Sequence, residues 1–93
     1  MAEIAVSVTD QGDTYQCDVT VEEGREKTQH AVTLHRDDFE RLTGGNVSPK
    51  ALVSESFRFL LEREPKESIL RTFDLTVISR YFPEYEREIK QRL

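Results

Sequence analysis

The chain is poor in the residues that cross-link or interrupt a fold. Its 93 residues include one cysteine, Cys17, no tryptophan, three prolines and four glycines. A lone cysteine excludes an internal disulfide framework and leaves no second thiolate for a zinc site, which fits a reducing, cytoplasmic setting. Apolar runs are short too. The longest span three residues, as in Phe59 to Leu61, far below the roughly 18 needed to cross a bilayer, so a membrane role is not expected. No basic segment followed by an apolar one opens the sequence, and an unexported protein is the expectation.

What is present suffices for one modest core. Ile, Leu, Val and Phe make up 25 residues, about 27%, above the roughly 20% below which chains stay disordered. Two independent cores would each have to form from fewer than fifty residues, so a single domain over 1–93 is expected, with a β-sheet part (1–35) and a helical part (36–93).

The first part alternates. Residues 4–9 and 15–21 place Ile4, Val6, Val8, Tyr15, Cys17, Val19 and Val21 on one face at the two-residue period of a half-buried strand. Asp10-Gln11-Gly12-Asp13 carries the turn chemistry that joins them as an antiparallel hairpin. A second polar turn, Glu22 to Lys27, leads to His30–His35, where Val32 and Leu34 continue the beat as a third strand.

The period then lengthens to that of helices. Asp37 is expected to cap a short helix holding Phe39 and Leu42, which Gly44-Gly45-Asn46 stops. Ser48-Pro49 is a strong start signal, serine accepting from free amides and proline fitting the first turn, for a helix running to Glu64 before Pro65. Val53, Phe57, Leu60 and Leu61 form its stripe, and Leu52 and Phe59 widen the stripe to about half the circumference. Beyond Pro65, Ile69, Leu70 and Phe73 suggest another short helix. Asp74 is placed to cap the next, with Leu75, Ile78 and Tyr81, and a last helix follows Pro83 with Tyr85, Ile89 and Leu93. Its Glu86–Lys90 and Glu88–Arg92 couples are correctly ordered for i,i+4 attraction. Strands first and helices afterwards give an α+β fold: a three-stranded antiparallel meander followed by three to five helices packed on one face.

Catalytic constellations do not converge. His30 and His35 lie five apart in a strand and leave on opposite faces, so neither metal nor cofactor is expected. Cys17 sits on the greasy face, where burial raises a thiol's pKa and makes it inert. No serine lies in a Gly-x-Ser-x-Gly elbow, and the adjacent acids Glu22-Glu23 and Asp37-Asp38 suit turns and helix starts. Gly44-Gly45 lacks the spacing of a phosphate loop. The residues read as non-enzymatic, with no catalytic site, cofactor or small-molecule ligand.

Charge is divided unevenly. Residues 1–31 hold seven acids and two bases, whereas residues 32–93 hold eleven of each, within a net charge of -5. An acidic sheet argues against nucleic-acid reading by those strands. The expected role is therefore a small protein-interaction module, a homodimer in the first instance, with Leu52 and Phe59 at the edge of the wide apolar arc as its interface.

The stretch His30–Arg63 also resembles a ribbon-helix-helix segment: an alternating strand at Ala31–Leu34, a helix with Phe39 and Leu42, a Gly-Asn turn, and Val47-Ser48-Pro49 opening a longer helix. With the two preceding strands, the order resembles the HicB-type antitoxins. The resemblance implies a strand paired across a dimer and inserted into the DNA major groove, and hence an alternative role as a DNA-binding regulator or antitoxin, with Arg36 and Arg41 contacting nucleic acid.

Overall fold

The computed structural model describes residues 2–93. Three long strands come first, β1 (Glu3–Asp10), β2 (Thr14–Glu23) and β3 (Glu26–His35), and pair as an antiparallel meander. The alternation sets the register. Val6 opposes Val19, and Cys17 opposes both Val8 and Val32, so one face of the sheet is greasy and the other is polar. At the first turn Gly12 adopts φ +92°, which a side chain would strain, and its amide donates to Asp10 Oδ1 at 2.9 Å.

Helix α1 (Arg36–Thr43) follows directly. Its N-cap is His35, which supplies no side-chain cap, and Asp37 and Asp38 lie inside the first turn. The expected Asp37 cap is thus corrected: the acids favour the helix start through its positive end instead. Gly44, left-handed at φ +69°, closes the helix with its amide on Glu40 O at 2.7 Å. Helix α2 (Pro49–Leu61) starts where serine and proline place it, Ser48 Oγ accepting from Ala51 N at 3.1 Å. It ends three residues before the expected Glu64. Arg63 N tightens onto Leu60 O at 2.9 Å, and Glu64, the residue before Pro65, is disfavoured in helical geometry.

The segment after Pro65 differs most from expectation. In place of a helix over Ile69–Phe73 there is a 3₁₀ turn (Lys66–Ser68) and then a short strand, β4 (Thr72–Asp74). It lies parallel to β3 with Phe73 opposite Val32, making a four-stranded sheet of order β1-β2-β3-β4. Ile69 and Phe73, four apart, satisfy a helical face and a strand face equally, so their spacing alone does not separate the two. Asp74 caps as expected, accepting from Thr76 N at 3.0 Å, above a 3₁₀ turn (Leu75–Val77) that leads into α3 (Ile78–Tyr81) and α4 (Tyr85–Arg92).

The architecture is α+β, a mixed sheet with helices over one face. The core lies between them, and no described helix is long and apolar enough to cross a membrane. The wide arc of α2 is used within the chain. Phe57 meets His30 at 5.3 Å and Phe73 at 6.1 Å on the sheet side. On the other side Phe59 packs edge-to-face on Tyr85 at 5.3 Å and on Phe82 at 5.9 Å. Arg63 covers the Phe59 ring at 3.6 Å. Leu52 and Phe59 are each 0% exposed. They are not available as a partner interface, because the C-terminal helix occupies the edge that the arc appeared to leave free.

Candidate functional site

The arginines marked for nucleic acid are already engaged. Arg36 donates to both carboxylate oxygens of Asp10 (2.9 and 3.0 Å), to Gly12 O (2.7 Å) and to Tyr15 Oη (2.7 Å), pinning the β1–β2 turn to the start of α1. The Gly12 amide and then Arg36 hold the Asp10 carboxyl below the usual carboxylate range. Arg41 bridges Asp38 and Glu86, tying α1 to α4. Strand β3 is hydrogen-bonded on both sides, by β2 and by β4, and so differs from a ribbon strand that reserves one edge for a second chain.

The two histidines leave on opposite faces, as the strand period requires. His30 is buried: its Nδ1 donates to Leu70 O at 2.8 Å, so its Nε2 accepts from Thr28 Oγ1 at 2.8 Å. Desolvation lowers its pKa below 6.5 and keeps the ring neutral. His35 is on the open face and lies 2.8 Å from Asp74. Cys17 is buried, its thiol pushed up to about 11 by desolvation. Among the described residues no three metal-ligating side chains converge on a point.

What the molecule does present is an apolar groove that the linear pattern did not disclose. The end of α2, the turn after Pro65, β4 and α3 surround a cavity of about 230 Å³, walled by Leu60, Ile69, Phe73, Val77, Ile78 and Phe82. Leu70 and Tyr81 also line it while remaining 47% and 66% exposed. Among the described residues the one other exposed large hydrophobic is Leu93. Glu64 lies in the wall with no cation in ion-pair reach among the described residues, and burial raises its carboxyl pKa above the ordinary value. A second depression, on the open sheet face, is polar, edged by Asp18, Thr20, Gln29 and Arg71.

The groove is held from both ends. His30 fixes the Leu70 carbonyl from β3. Lys66, 2% exposed, reaches Glu67 at 2.6 Å, Glu23 at 3.4 Å and Glu26 at 3.5 Å, clamping the turn after Pro65 to the β2–β3 hairpin. No single step in the sequence signals the groove, because its lining comes from four elements whose juxtaposition depends on β4 docking parallel to β3. The sequence does name Leu70 and Tyr81 as apolar, but it places them on helix faces expected to be covered. The chemistry assembled here is that of burial, aliphatic and aromatic walls around one carboxyl. Compared with known proteins, the chain matches no family model, no curated protein and no solved structure.

Proposed function

We propose that the protein is a small non-enzymatic interaction module, and that the groove around Leu70 and Tyr81 is where it takes an apolar side chain presented by a protein partner. The observation that carries this reading is the exposure of those two residues at the mouth of a cavity, when among the described residues Leu93 is the one other exposed large hydrophobic. Seating one Leu- or Phe-sized side chain there contributes about 1.5–3 kcal/mol, the scale of an interface anchor.

Site-specific photo-crosslinking in the native host tests it. A photoreactive side chain at Tyr81 is expected to give discrete protein adducts, and the same group at Thr9, on the open sheet face, is expected to give none. An absence of adducts at Tyr81, or equal labelling at both positions, overturns the groove as the docking surface.

A further inference from the structure

Building on the groove as a docking surface, we infer that its occupant is a second copy of this chain, the two related by a twofold axis beside α3, each seating the other's Tyr81. A closed two-copy interface uses one patch twice, so that patch must be complementary to itself. This one is. It carries a cavity and, on the rim of the same cavity, two exposed apolar side chains, Leu70 and Tyr81, of the kind the cavity accepts.

Its charges are complementary in the same sense. Among the described residues Glu64 stands in the wall without an ion pair, and Arg80, the chain neighbour of Tyr81, is exposed and likewise makes none. Each copy therefore offers an apolar side chain beside a cation and receives the same from the other. A cation brought to Glu64 also offsets the burial that disfavours its ionised form.

Long-range charge permits the approach. The surplus acids lie in residues 1–31, whereas residues 60–82, which build the groove, hold four acids and four bases. Two copies meeting on this face bring together segments that carry no net charge.

Sedimentation equilibrium on the purified full chain, up to about 100 µM to cover weak interfaces, tests the inference. The wild type is expected to dimerise. Tyr81→Ser is expected to weaken the dimer about tenfold or more, as for an interface anchor. Glu64→Arg, or Arg80→Glu, is expected to weaken it by roughly tenfold, and combining the two changes is expected to restore most of the loss. All these side chains are at the surface or the groove wall, and thermal unfolding confirms that each variant is folded. A wild type that stays monomeric overturns the second copy. In that case Tyr81 adducts to other proteins keep the groove reading, and their absence removes both. A dimer indifferent to Tyr81→Ser and Leu70→Ser has its interface elsewhere and also overturns the inference.

Discussion

The β1–β3 meander is about one-third apolar and the segment from Lys66 to Phe82 nearly half, yet the richer segment buries its apolar residues less regularly. In the meander every second side chain enters the core, Val19, Val21, Val32 and Leu34 being almost wholly buried. In the later segment Ile69, Phe73, Leu75 and Ile78 are buried at uneven intervals, while Leu70 and Tyr81 stay outside. An unbroken period fills one face of one element completely. A broken one needs help from several short elements and leaves a gap between them, which is where the groove lies.

The largest effects should come from the place where the two regions meet. Phe57 touches His30 of β3 and Phe73 of β4 and is fully buried. Phe57→Ala should cost about 3–5 kcal/mol in urea unfolding, a large share of a small domain's stability. A loss under about 1 kcal/mol would mean that α2 does not seat the C-terminal segment on the sheet.

The next effect concerns the other side of α2. Ser56 Oγ donates to Leu52 O at 2.8 Å, so the Tyr85 hydroxyl is the donor in their 2.6 Å hydrogen bond, all of it buried. Ser56→Ala strands that hydroxyl and should cost about 1–3 kcal/mol, whereas Tyr85→Phe leaves Ser56 its carbonyl partner and should cost less. Equal costs, by the same unfolding measurement, would reverse this assignment of donors.

A third effect depends on pH. His30 titrates below 6.5 in the folded state, so the unfolded chain binds the proton first. Its contribution is therefore intact above about pH 6.5 and declines as pH falls from there toward the lowered folded value. Glu64, with a raised pKa, acts in the opposite sense, its protonation favouring the fold, and so the wild type must be compared with a variant. Between about pH 7.5 and 5.5, His30→Gln should flatten the fall in unfolding free energy. Parallel curves for the two proteins would show that His30 is not the group responsible.

The smallest effect sharpens the contrast. Leu70→Ser should change stability by no more than about 0.5 kcal/mol, because that side chain is half outside already. A loss comparable with that of a core truncation would place Leu70 in the fold and remove it from the working surface.

Much of the fold was legible because its signals are local. The meander followed from alternation, Ser48-Pro49 fixed the start of α2, and Gly44 fixed the end of α1. The excess apolar width of α2 at Leu52 and Phe59 was also readable, but not its destination. Tyr85 and Phe82, which cover Phe59, are more than twenty residues away, and no pattern in α2 identifies them. Strand β4 was hidden for a different reason: three residues are too few to display a two-residue beat. Since β4 both closes the free edge of β3 and sets the floor of the groove, missing it left Leu70, Tyr81 and Glu64 without a role and made β3 resemble the free ribbon of a DNA-binding dimer.

The most direct test is a dilution series followed by NMR of the intact chain. The side-chain signals of Leu70, Val77, Ile78 and Tyr81 are expected to move together with concentration, while Ser7, Thr9 and Asp18 on the open sheet face stay fixed. Concentration-dependent shifts centred on the sheet face or on β1, with the groove signals unmoved, would contradict the assignment of the working surface.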